Sequence, residues 1–428
     1  MSRRRVVITG WGHASPLPPT LDRFWETLSA GTDAVRPYET GFPISVAAPA
    51  LFNGDIDDFS EVDPSQKKAV KKSLKVMSRE IQMALAASSR ALANAAICFG
   101  QFEPSRIGVS FGSDHILTTP DECLDGIKAC LTESYEPRIA FDFTRWAKDG
   151  MSKMSPLWQL KSLPNMPASH IAILNGFQGP SNSMTLREAS IGAVVGESLA
   201  IIESGRTDIM LVGTTGSRLH PIKMAQALQQ EELAPDHCRP FDRNRKGTVL
   251  GEGAGALVLE EREHAVKRGA TIYAEIVTAS YRARFDRSGT DRRREVIGQV
   301  LREVLRKGGR KPEQIGHINA HGLGGRCSDA IEAKAIIDVF DDRFEPVPVC
   351  AVKGFFGNLG AGAGAVELIA SVLALHKRKL FPTPHHETSG ADCPIRVAIA
   401  GEPSGTSFVK IAVNSQGQAS ALLAIAAE

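Results

Sequence analysis

Long apolar runs are missing from this chain. None of its 428 residues belongs to an apolar run of about 18, so no segment reads as a membrane-spanning helix. A surplus of one charge is missing too. Lys and Arg number 50 and Asp and Glu 48, a net charge of +2, which argues against nucleic acid as a partner. The basic start Arg3-Arg4-Arg5 runs straight into Val6-Val7-Ile8-Thr9 and reads as the exposed entry to a strand. Cysteine spacing is uninformative: the residues at 98, 123, 130, 238, 327, 350 and 393 form no Cys-x-x-Cys pair. A zinc site or disulfide framework is therefore not expected, and the seven read as free thiols. No signal peptide precedes the first strand, so a cytoplasmic protein is expected, with no membrane contact, no cofactor and no metal.

What is present is ordinary in bulk and informative in order. Hydrophobic residues make up 43% and charged residues 23%, as in globular domains, and the length suggests two or three domain-sized units. Strand-like and helix-like segments alternate. Val6–Thr9, Arg106–Phe111, Asp208–Val212, Gly255–Glu260, Thr271–Thr278, His317–Ala320, Val347–Val352, Phe408–Val413 and Ala421–Ala426 read as strands. Leu21–Ala30, one long stretch from about Asp63 to Ala96, Glu197–Glu203, Val296–Lys307, Ala330–Val339 and Val366–His376 read as helices. That alternation defines an α/β protein, and the similar order of the two halves suggests a duplicated fold split into residues 1–260 and 261–428. The region of about 113–165 breaks the rhythm. Its part from Ser134 to Pro164 mixes Tyr135, Phe141, Phe143, Trp146, Met151, Met154 and Trp158 with charges. It reads as a cap over a pocket, part of an oligomer interface, or a plain surface loop.

One residue stands out. Glu188 lies in Gly179-Pro180-Ser181-Asn182-Ser183-Met184-Thr185-Leu186-Arg187-Glu188-Ala189-Ser190, ahead of a helix rich in small residues. A strand that turns sharply into a helix presents one side chain at the helix N-terminus, where free N–H groups favour negative charge. Enzymes use such turns to hold an activated Ser or Cys. Here the presented group is a carboxylate.

Several ordered segments resemble the β-ketoacyl synthase (ketosynthase) family of thiolase-fold condensing enzymes. They include Arg4–Gly12 with Ser15-Pro16-Leu17 and Phe24-Trp25, Asn165–Ala172, and Gly176–Pro180. The most specific are Arg239-Pro240-Phe241-Asp242, Gly251-Glu252-Gly253-Ala254-Gly255, Val258-Leu259-Glu260, Arg268-Gly269-Ala270 and Tyr273-Ala274-Glu275. The resemblance covers nearly the whole chain. It implies two duplicated α/β halves in a five-layered αβαβα arrangement and a dimer whose interface follows a strand. It also implies substrates borne by an acyl carrier protein, and a reaction in which a cysteine takes an acyl chain while two histidines assist a decarboxylative condensation.

Residue by residue, the resemblance is mixed. Glu188 occupies the nucleophile position, with Arg187 beside it. The first histidine is His321, in a loop where Leu323 and Gly325 replace threonines, and Asp329 and Glu332 keep a downstream acidic pair. Lys353 is retained. Asn358 replaces the second histidine, followed by an intact Gly/Ala run to Glu367. The C-terminal loop reads Asn414-Ser415-Gln416-Gly417-Gln418 and is two residues short. By family position, Gln416, Gln418, Phe355, Phe356 and His170 are expected at the acyl pocket or its gate, and His317 is expected to be structural.

A carboxylate is a weak nucleophile towards a thioester, and the loss of one oxyanion donor costs about 10²–10³ in rate. Ordinary condensation by this chain alone is therefore expected to be absent or very weak. Three readings follow. The first is a non-condensing partner resembling a chain length factor, in a heterodimer with an active ketosynthase, although glutamine is the usual replacement there. The second is a homodimeric acyl-thioester enzyme using Glu188 as base or acyl carrier. The third is a catalytically dead homologue in which Glu188 is paired. A decarboxylase reading is disfavoured, because Glu188 would repel the malonyl carboxylate. Cys327 as substitute nucleophile is disfavoured as a loop thiol away from any helix N-terminus. Burial of Glu188 requires a cationic or amide partner within hydrogen-bond reach.

Overall fold

The structure, a computed structural model, describes residues 4–133, 139–155, 157–285 and 289–427. Arg3 and Tyr135, both singled out above, lie outside them. Ten strands form the main path of one extended sheet. In chain order they are β1 (Val6–Ala14), β2 (Ile107–Ser113), β3 (Ser181–Met184), β4 (Ile209–Ser217) and β5 (Leu250–Glu261). The second set is β6 (Ala274–Ala283), β7 (His317–Asn319), β8 (Val349–Cys350), β9 (Ser407–Val413) and β10 (Gln418–Ala426).

The pairings repeat strand for strand. In the first set β1–β5 and β5–β4 are antiparallel, and β4–β2 and β2–β3 are parallel. In the second, β6–β10 and β10–β9 are antiparallel, and β9–β7 and β7–β8 are parallel. An antiparallel contact between β1 and β6 joins the two. Apart from the edge strand β3 and the outer part of β6, the strands are buried and rich in Val, Ile, Leu and Ala, as sheets covered on both faces require.

Six helices supply that cover: α1 (Arg79–Asn94), α2 (Met166–Asn175), α3 (Ser190–Glu203), α4 (Arg293–Lys307), α5 (Arg326–Phe340) and α6 (Ala363–Lys377). α3 packs on β2 and β4 and also on β6 and β10, while α6 packs on β9 and β10 and also on β4 and β5. These two therefore form a middle layer between the two sets of strands. Outside lie α1 and α2 against the first set, and α4, with α5 on it, against the second. The order is αβαβα, a thiolase-like fold. Ala363–Leu375 of α6 is buried on every side, which explains why its sequence is apolar all round rather than amphipathic. A side chain at Gly364 would meet Ile191 of α3 at 2.7 Å, so only glycine lets the two middle helices approach.

Two expectations need correction. The long helix from Asp63 to Ala96 is broken into Lys67–Ser73, a short 3-10 turn, and α1. Met77 and Ser78 between them are extended, because Met77 must reach into the core and Glu80 must meet Lys223 at 3.2 Å. Cys327 is the second residue of α5, so it does sit at a helix N-terminus. It is exposed and lies outside the cavity described below.

The excursion after β2 carries a helix, Asp121–Ala129, and a separate two-stranded ladder of Leu131–Glu133 with Ile139–Phe141. Short turns follow as far as Ser162.

Candidate functional site

β3 ends at Met184, and the turn Arg187–Ala189 swings the chain into α3. Arg187 takes a left-handed φ of 52°, a strained value for a residue with a side chain, which places Glu188 inward. Glu188 is only 5% exposed. Its Oε1 accepts a hydrogen bond from Asn358 Nδ2 at 3.1 Å, and its Oε2 lies 3.7 Å from Arg187 Nε. The amide partner that burial demands is within hydrogen-bond reach, and the guanidinium of Arg187 adds an ion pair without a hydrogen bond. Asn358 is itself fixed, since its Oδ1 accepts from Gly360 N–H at 2.9 Å and its own N–H donates to Val249 O at 2.7 Å.

Charge continues away from Glu188. Arg187 lies 3.8 Å from Glu231, which also pairs closely with the buried Arg218. The charge of Glu188 raises the pKa of Arg187 most strongly, burial opposes it, and Asp114 and Glu231 add to the rise. Burial lifts the carboxyl of Glu231 above its ordinary value and the Glu188 charge adds to that, while Arg218 and Arg187 oppose it. Burial also favours the protonated form of Asp114, but the His115 hydrogen bond and the Lys223 and Arg187 charges win and hold it below the carboxylate range. Glu188 is one member of a buried ionic network rather than an isolated acid.

His321 follows β7 and is 4% exposed. Its backbone N–H and that of Gly322 donate to Glu332 at 2.6 and 2.8 Å. Asp329 accepts from Gly324 N–H at 3.0 Å and Phe241 N–H at 2.8 Å. These two acids of α5 therefore shape the loop that carries His321. Burial raises both carboxyls, and that of Asp329 reaches about 7. Lys353 lies behind: its Nζ donates to His321 O at 3.0 Å, stands 3.3 Å from His321 Nδ1, and meets Glu367 at 2.5 Å. Lys410 closes on the other Glu367 oxygen at 2.7 Å. Burial, then the Lys353, Lys410 and Arg293 charges, push the imidazole of His321 well below its ordinary pKa, so the ring is neutral.

Glu188, Asn358 and His321 line one cavity, together with Arg187, Glu231, Arg293, Leu323 and Asn414. Its volume is about 40 Å³. A water needs at least about 10–15 Å³ on that measure, so the space suits a few waters and not an acyl chain.

The expected gate residues are not gathered there. Phe355 and Phe356 are wholly buried in the main hydrophobic core and are not part of the cavity lining. Gln416 is exposed on the turn between β9 and β10, and Gln418 accepts from Asn414 Nδ2 at 2.6 Å. His170 is buried on α2, outside the cavity lining. The shortened C-terminal turn explains part of this, because Gly417 at φ 78° closes it tightly and only Val413, Asn414 and Ser415 reach the site. His317 is structural: its ring bonds Ser404 O at 2.9 Å and Ser371 Oγ at 3.2 Å. Sequence reasoning missed Glu231, Arg218 and Arg293. They lie in no motif and join the site only through the fold.

Fold and site together define a protein of the thiolase-like ketosynthase class. The family model "Beta-ketoacyl synthase, N-terminal domain" matches residues 3–265, and "Beta-ketoacyl synthase, C-terminal domain" matches residues 273–387. The chain belongs to the β-ketoacyl synthase family. It is similar to the 3-oxoacyl-[acyl-carrier-protein] synthase 2 of Synechocystis, with 29% identity over 92% of this chain and 91% of that one. It is 31% identical to putative polyketide beta-ketoacyl synthase 1 of Streptomyces cyaneus over 92% of this chain and 90% of that one. Among solved structures, the ishigamide ketosynthase/chain length factor matches at TM-score 0.84 and 26% identity, covering 100% of both chains. Among the described residues, no helix is long and apolar enough to cross a membrane.

Proposed function

We propose that this chain is a non-condensing subunit, like a chain length factor, in fatty-acid or polyketide-type biosynthesis. It pairs with a cysteine-bearing ketosynthase and bounds the path of an acyl chain delivered by an acyl carrier protein. The observation that carries this reading is the filled nucleophile seat. Glu188 is buried, tied to Asn358 and Arg187, and faces a cavity of about 40 Å³. A thioester carbonyl has neither a thiolate to attack it nor room to enter. The resemblance to the ishigamide ketosynthase/chain length factor supports the same reading, and the acyl-carrier-protein synthases among the relatives support the carrier-borne substrate alone.

A partner also fits the sheet. β3 pairs with β2 on one side, and among the described residues no strand pairs with its other edge. A free strand edge next to the Glu188 turn is a ready template for a second subunit. One observation favours the thioester-enzyme reading: among the described residues Glu188 Oε2 has no hydrogen-bond partner.

Co-expression with ketosynthases that carry the cysteine and both histidines separates these readings. The proposal expects a stable one-to-one complex whose product length depends on this chain. A homodimer that hydrolyses acyl thioesters would support the base role of Glu188 instead. A chain with neither partner nor turnover would be a dead homologue.

A further inference from the structure

Three side chains far apart in sequence meet outside the cavity that Glu188 and His321 line. Asp33 follows the helix Leu21–Ala30 and the left-handed Gly31. His237 precedes the Arg239–Asp242 segment, and His385 lies beyond β8. His237 Nδ1 and His385 Nε2 each approach the same oxygen, Asp33 Oδ2, at 2.6 Å. The two rings stack with centroids 4.0 Å apart and planes 23° off parallel. His385 adopts a left-handed φ of 59° to deliver its ring, a strained conformation for a residue with a side chain. Asp33 is 11% exposed, and the two rings 36% and 31%. The neighbouring Asp236 is committed to Arg239, at 2.7 and 2.9 Å.

We propose that Asp33, His237 and His385 form a binding site for a divalent transition metal, with Zn²⁺ the ion its ligands suit, which clips together three loops supporting the His321 and Lys353 segments. Two imidazoles and one carboxylate favour zinc over magnesium or calcium, which prefer oxygen alone. Three protein ligands leave one tetrahedral position for water, and the exposed ring edges give the ion a way in. Tetrahedral zinc with bonds of about 2.0–2.1 Å spaces its ligand atoms about 3.3 Å apart, so each nitrogen must draw back from Asp33 Oδ2 by roughly 0.7 Å and the stacked rings must swing until their in-plane lone pairs converge. Half-exposed rings can make that movement. Each ring then offers its lone pair at the converging nitrogen and carries its proton on the other.

The clip connects to the site through its neighbours in sequence. Cys238 Sγ bonds Leu323 O at 3.4 Å, beside His321. Ala351 N–H donates to Thr383 Oγ1 at 3.1 Å, next to Lys353. Ala34 N–H donates to Phe355 O at 2.8 Å. Metal binding would stiffen all three supports at once. This role does not depend on whether the chain condenses, hydrolyses or only pairs.

The untagged full-length chain, stripped with a chelator and titrated with Co²⁺, tests the proposal. One equivalent should give the visible absorption of tetrahedral Co²⁺, be displaced by one equivalent of Zn²⁺, and raise Tm. His385→Gln and Asp33→Asn should keep the wild-type circular dichroism and bind at least about a hundredfold more weakly. The proposal fails if the wild-type chain gives no such absorption. It also fails if both variants keep it, or if zinc raises their Tm as much as that of the wild type.

Discussion

At the scale of single residues, a carboxylate in place of a thiolate keeps an anion in the seat but removes the nucleophile. A buried carboxylate needs compensation, and Asn358 and Arg187 supply it. His321 has a pH signature of its own. Burial and three nearby cations hold its ring neutral below its ordinary pKa of 6.5. The unfolded chain therefore binds a proton first as pH falls. The stability His321 contributes is complete above about 6.5 and is lost progressively on acidification. Imidazole NMR should show His321 untitrated between about pH 6 and 8; a midpoint near 6.5 would contradict the placement of Lys353 behind it. The sequence showed Glu188, Asn358, His321 and Lys353 because they stand in family motifs. It hid Glu231 and Arg218, which motif reading cannot reach, and it misplaced Phe355 and Phe356. Adjacency to Lys353 in sequence says nothing about which face of a short helical turn meets the core.

At the scale of elements, the middle layer is the most demanding part of the fold. A Cβ at Gly362, at the entry to α6, would lie 1.9 Å from Gly253 O on β5. That oxygen belongs to the backbone and cannot rotate away. Gly362→Ala should therefore destabilise the chain by about 3 kcal/mol or more, as read by urea unfolding, beyond the usual range for overpacking. A loss below about 0.5 kcal/mol would mean that α6 and β5 are not packed as described. Periodicity located these elements well: Leu21–Ala30 has the bounds expected, and the buried strands differ only at their ends. It failed between Ser73 and Arg79, where helix-forming residues continue but tertiary packing of Met77 and Glu80 pulls the backbone straight.

At the scale of the whole molecule, alternating strands and helices indicated an α/β protein, but the strand-for-strand repeat of pairings is visible only in the fold. Side chains of the two halves have diverged while the hydrogen-bonded ladders have not. The excursion after β2 leaves Phe143 80% and Met151 52% exposed, apolar surface that suits an intersubunit contact. Phe143→Asp with Met151→Asp should weaken subunit association at least about tenfold and leave the circular dichroism of the chain unchanged, since neither side chain is in the core. Unaltered association by analytical ultracentrifugation would remove the excursion from the interface.

The most direct test of the central claim is a condensation assay on the purified chain alone, supplied with acyl- and malonyl-loaded carrier protein. The account predicts no β-ketoacyl product above background. Product at the rate of a cysteine-bearing ketosynthase would contradict it, because the site as built offers neither a thiolate nor the space for its acyl intermediate.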